Sequence, residues 1–113
     1  MSNYVVVDLE MCKVNSKETD LRHEIIQIGA VSLDENYNII GNYMTYVSPQ
    51  FGQIDRFIEG LTGIHRSDVK NAPIFKEALE QFIRWLPIDA ILVSWSDTDL
   101  LQLDDEIYEK YID

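Results

Sequence analysis

Residues 4–10 read Tyr-Val-Val-Val-Asp-Leu-Glu (YVVVDLE). Three consecutive β-branched valines restrict χ1 and favour a pleated strand over a helix. Apolar residues fall on both faces of the run, which suits a strand central to a covered sheet. The strand ends on two acids spaced by two, Asp8 and Glu10. Side chains alternate along a strand, so both carboxylates project to one side, a few ångströms apart. Like charges that close repel unless a cation lies between them or one takes a proton. A divalent ion is the usual compensation for acids at the mouth of a buried strand. The competing reading is that the chain has already reached solvent and D-x-E opens a loop. So short a spacing recurs by chance, and by itself it favours the loop.

Working outward, a polar loop follows from about Lys13 to Leu21, then HEIIQIGAVSLD (23–34), the turn-prone DENYN (34–38) and IIGNYMTYVSP (39–49). This predicts two antiparallel strands joined by a short connection, the second closed by Pro49, which cannot donate to a ladder. QIDRFIEGLTGIHRSDVKNAP (53–73) predicts a short helix broken at Gly60, a turn and a further helical turn. A clear helix comes next, with Pro73 in its first turn, Phe75, Leu79, Phe82, Ile83 and Leu86 as its apolar stripe, and Pro87 as its stop. AILVSW (90–95) reads as a short strand of the buried type, and Leu100, Leu103, Ile107 and Tyr111 return to helical spacing from about Asp97. The order is βββαβα, an α/β layer on a mixed sheet, in one domain spanning 1–113.

Composition sets the outer bounds. At 113 residues with 46% hydrophobic side chains, one packed core is expected and disorder is not. No apolar stretch approaches a membrane span, and MSNYVVVDLE lacks the features of a secretory signal. The single cysteine, Cys12, cannot form an internal disulfide, so a reducing, cytoplasmic setting is expected. The net charge of −11, from 20 acids and 9 bases, fits poorly with gripping a polyanion through Lys and Arg. Either nucleic acid is not the partner, or divalent cations turn acidic side chains into a phosphate site.

A second acidic element stands in SWSDTDLLQL (94–103). Acids are favoured at helix N-termini by capping and by the dipole, and Asp97 fits that role without a metal. Asp99, in the first turn, can lean toward the end of the first strand if the two strands are neighbours.

Taken together, YVVVDLE, EIIQIGAVSLD, YVSP, LTGIHRSDV, NAPIF and LVSWSDTDLLQL resemble, in order and across essentially the whole chain, the DEDD exonuclease superfamily. The likeness is greatest to its histidine-type (DEDDh) branch, which includes the proofreading subunit of bacterial replicative polymerase and the histone-mRNA exonuclease and sporulation-inhibitor group. The resemblance implies a ribonuclease H-like fold and 3′–5′ hydrolysis of RNA or single-stranded DNA from the 3′ end. It assigns the first motif's acids to Asp8 and Glu10 and the second motif's to Asp99, with Asp97 as the off-by-two alternative. It also implies two ions, Mg2+ or Mn2+, and contacts near the 3′-terminal nucleotide from Met11, Leu61 and Thr62. Leu61 and Ile64 read equally well as core residues.

The family's third motif, a histidine followed five residues later by an acid, has no match. Five after His23 is Ile28, and five after His65 is Lys70. Both histidines read as surface residues, and Asp104, Asp105 and Glu106 as a solvated helical face. The expectation is a partial domain lacking the family's last strand and helix, with turnover impaired or lost. An exposed sheet edge would then invite a homo-oligomer or a completing segment in trans. The alternative is a non-catalytic regulatory or protein-binding module that keeps the fold. An acidic metal buffer carries little weight, because no loop resembles an EF-hand.

Overall fold

The computed structural model describes residues 3–94 and 97–111. Four strands form one mixed sheet in the order β3-β2-β1-β4. β1 (Asn3–Lys13), β2 (His23–Leu33) and β3 (Ile39–Tyr46) are antiparallel neighbours, and β4 (Ala90–Val93) joins β1 in parallel. The helices are α1 (Arg56–Thr62), α2 (Arg66–Lys70), α3 (Phe75–Trp85) and α4 (Asp97–Tyr111). The valine run therefore sits inside the sheet, as its composition predicts. No described helix is long and apolar enough to cross a membrane.

Two cores form on the two faces. Val5, Val7 and Leu9 pack with Ile28 and Ala30 of β2 against Phe75, Ala78 and Phe82 of α3 and Leu103 of α4. Burying a phenylalanine such as Phe82 contributes about 1.5–3 kcal/mol. The other core joins Cys12 and Ile26 to Ile54, Ile58, Ile64 and Val69, from α1, α2 and their flanks. A bulge feeds both cores at once. The β1–β2 register shifts between Glu10 and Met11, where Glu10 pairs with Gln27 and Met11 with Ile25, leaving Ile26 as the extra residue. The shift sends Ile25 into the first core and Ile26 into the second.

Several local expectations need correction. α1 passes through Gly60 and ends at Thr62, because Gly63, at φ 75°, takes the left-handed capping position that favours glycine. Pro73 precedes the third helix, whose N-cap is Ile74. On α3 the buried residues are Phe75, Ala78 and Phe82, while Ile83 is 56% exposed. β4 is not buried on both faces, since Ile91 and Val93 are exposed on one; Trp95, expected at its end, lies outside the described residues. Glu106, expected on a solvated face, is fully buried.

Candidate active site

Strand alternation decides where the first two acids go. Val5, Val7 and Leu9 face the first core, so Asp8 and Glu10 project from the opposite face of β1, as Cys12 does. Asp8 is exposed and Glu10 is half-buried. The β1–β4 ladder pairs Asn3–Val6 with Ala90–Val93, and Leu9 lies beyond it on the same strand. Asp99, in the first turn of α4, reaches that point: its Oδ2 accepts a hydrogen bond from the Leu9 amide at 3.2 Å. Asp97 is the first residue of the helix and is exposed.

These placements load charge onto one group. Burial, and then the charges of Asp8 and Asp99, push the Glu10 carboxyl above the usual carboxylate range. A cation among the three would reverse that burden, and carboxylate oxygens are the donors that hard divalent ions prefer. Among the described residues, no three His, Cys, Asp or Glu side chains are already close enough to hold an ion.

The other expected site residues fall differently. Leu61 is 70% exposed on α1, one turn after the exposed Phe57, so it is not a core residue; Ile64 is. Thr62 spends its hydroxyl within the helix end, donating to the Ile58 carbonyl at 2.8 Å and accepting from the Ile64 amide at 3.1 Å. Met11 packs its side chain against the first core, away from the Asp8 and Glu10 face. His23 and His65 are both exposed, and His65 is the N-cap of α2, its amide donating to the Asp68 carboxylate.

Sequence reasoning missed a buried cluster. Glu24 and Glu106 are both fully buried, and Lys110 Nζ bridges them at 2.8 and 3.2 Å. Glu24 also accepts from the amides of Gln50, Phe51 and Gly52. Burial alone would raise Glu24, but Lys110 and those amides outweigh it and hold the carboxyl below its usual range. Glu106 has fewer compensations, so burial wins and its carboxyl lies above that range. The signal available in the sequence was the spacing 99, 102, 106, 110, a single helical stripe of polar residues.

Comparison with known proteins adds the following. The model of the exonuclease family RNase_T matches residues 5–108. A PolC-type DNA polymerase III from Caldanaerobacter subterraneus subsp. tengcongensis is 38% identical over 91 residues, which is 80% of this chain and 6% of that protein. The 3′-5′ exoribonuclease 1 of Rattus norvegicus is 30% identical over 83 residues, 72% of this chain and 24% of that protein. The chain thus spans less than a quarter of the length of these relatives. Among solved structures, the nuclease domain of 3′hExo, a DEDDh family member bound to rAMP, superposes with a TM-score of 0.79 at 24% identity, covering 93% of this chain and 57% of that one. The shared fold is the ribonuclease H-like mixed sheet.

Proposed function

The chain belongs to the exonuclease family RNase_T, and from that premise we propose that it carries the front of a 3′–5′ exonuclease site acting on the 3′ ends of RNA or single-stranded DNA, in the cytoplasm. The observation that carries this reading is the meeting of Asp99 from α4 with β1 at Leu9, beside Asp8 and Glu10. Asp8, Glu10 and Asp99 are the ligands proposed for Mg2+ or Mn2+. When bound, such ions acidify an attacking water and stabilise the leaving 3′-oxygen. Leu61, exposed beside Phe57, offers an apolar surface to the terminal base. Thr62 shapes the helix end that presents Leu61, and Met11 is left to act through its main chain, because its side chain is in the core.

Neither histidine is followed by the acid that the third motif requires, so nothing in these 113 residues takes the proton from water as that motif would. Lack of a general base costs on the order of 10²–10⁴-fold in rate. Turnover by this chain alone is therefore slow or absent.

Calorimetric titration with Mn2+ tests the site. Binding in the wild type that disappears in Asp8→Ala is the expected result, and a labelled single strand should release nucleotides slowly at best. Absence of Mn2+ binding would sink the site. Rapid release abolished by Asp8→Ala would sink the claim of impaired turnover. The net charge of −11 favours a second reading, a non-catalytic module that keeps the fold, and that reading predicts no Mn2+ binding.

A further inference from the structure

α4 is attached to the sheet in an unusual way. Of its three buried residues, Gln102, Leu103 and Glu106, only Leu103 is apolar. Ile107 packs beside it, Tyr111 meets Phe75 and Glu109 accepts from Thr19, and along the buried stripe the attachment is a row of side-chain hydrogen bonds. Asp99 accepts from the Leu9 amide, Gln102 donates to the His23 carbonyl at 2.8 Å, and Glu106 accepts from the Ile25 amide. Lys110 completes the row by donating to Glu24. Spacings of three, four and four residues put all four side chains on one stripe of the helix. The acid proposed as a metal ligand is therefore the first member of a row whose last member is a cation with its side chain only 11% exposed.

We infer that Lys110 is a positioning residue, which clamps the far end of α4 onto Glu24 and Glu106 and so holds Asp99 at the edge of β1. Two fully buried carboxylates meet at that end of the helix, and Lys110 is the cation bonded to both. Without it the carboxylates repel unless Glu106 takes a proton. In either case the cation that ties α4 to Glu24 of β2 is gone, which frees that end of the helix to move. Ile107 against the first core, Tyr111 in ring contact with Phe75 and Glu109 bonded to Thr19 also hold this half of α4, so the movement expected is a small tilt and not release. Asp99 lies 11 residues earlier, about 16 Å along a rigid helix, so a tilt at one end displaces the other. The geometry stands by itself; the consequence for metal affinity rests on the nuclease reading.

The test is Lys110→Met in the full chain, read at two places. Hydrogen exchange by NMR reports the Leu9 amide, with the amides of β2 and β3 as internal reference. Calorimetry reports Mn2+ affinity. The expected result is about a tenfold loss of Leu9 protection and about tenfold weaker Mn2+ binding, with β2–β3 protection unchanged and both properties largely restored by Lys110→Arg. Wild-type Leu9 protection in Lys110→Met would overturn the inference. So would a loss of protection spread evenly over all amides, which is what general structural damage gives. If the wild type binds no Mn2+, the nuclease reading fails and Leu9 protection alone decides. If Lys110→Met does not fold, Lys110→Met/Glu106→Gln removes one charge of each sign and is judged by the same criteria.

Discussion

Gly52 is the position where a single methyl group should do the most damage. Its amide donates to Glu24 Oε1 at 2.6 Å, within the loop that closes over the buried carboxylate. A Cβ added there would lie 2.6 Å from Cys12 Sγ and 2.8 Å from the Lys13 carbonyl oxygen. Neither neighbour can yield easily, since Cys12 is fully buried and the Lys13 carbonyl belongs to the backbone of β1. Overpacking of this kind costs about 1–3 kcal/mol. Pushing the loop outward also lengthens a charge-assisted hydrogen bond worth about 1.5–3 kcal/mol. One displacement causes both losses, so they do not simply add. Gly52→Ala should therefore cost about 3 kcal/mol and lower the melting temperature by about 15 °C, at about 5 °C per kcal/mol for a domain near this size. Thermal melts followed by circular dichroism, with urea melts as a check on the slope, measure this directly. Adding Cys12→Ala should relieve only part of the strain, because the carbonyl contact remains. A Gly52→Ala melt within about 2 °C of wild type would refute the packing argument.

Gly60 should behave in the opposite way. It lies inside α1 with nothing within 4 Å of the position a Cβ would take. Gly60→Ala should therefore stabilise by about 1 kcal/mol, read as a higher urea midpoint at unchanged slope. The buried acids give a pH dependence of defined sign. Glu106 is raised above 4.5, chiefly by burial, so between 4.5 and its folded value the native chain holds a proton that the unfolded chain has released. Its contribution is complete below 4.5 and is lost as pH rises through that window. Glu24 is lowered, so its contribution is present above 4.5 and is lost as pH falls through its folded value. The pair alone places maximum stability in mild acid. Glu10, also raised, tilts the profile the same way as Glu106. Glu106→Gln should flatten the decline above pH 4.5 in urea melts taken across pH, and an unchanged decline would show that Glu106 is not its source.

The fold was legible where one physical requirement acted alone. Val5, Val6 and Val7 admit little but an internal strand, and the four strands and principal helices follow from period and punctuation. Detail was lost wherever two requirements competed at one residue. Gly60 reads as a helix breaker, yet Gly63, three residues on, supplies the left-handed conformation that ends the helix. Helix α1 therefore tolerates the first glycine and stops at the second. The bulge at Ile26 was invisible because HEIIQIGAV is apolar at Ile25, Ile26 and Ile28 in any register. Only the partner strand reveals that Ile25 and Ile26 belong to different cores.

α4 exposes a deeper limit of pattern reading. Its sequence carries two stripes at helical spacing, an apolar one through Leu100, Leu103, Ile107 and Tyr111 and a polar one through Asp99, Gln102, Glu106 and Lys110. The usual rule turns the apolar stripe inward and the charged one to solvent. Here Leu103 is buried and Ile107 packs against the same core, as the rule expects, but Gln102 and Glu106 of the polar stripe are buried as well. The rule misleads because it scores each side chain by itself, and a charge costs little to bury only when its partners are counted. Glu106 has Ile25, Gln102 and Lys110; Glu24 has Lys110 and three backbone amides. Those partners come from β2, from the loop after β3 and from α4 itself, so no window of sequence contains them all. The proposed site depends on the same arrangement. A helix seated by apolar packing can slide along a sheet at small cost, whereas one seated by directional hydrogen bonds has one register, and that register puts Asp99 against β1. The acidity that argued against a nucleic-acid partner is in this part of the chain spent on fixing a helix.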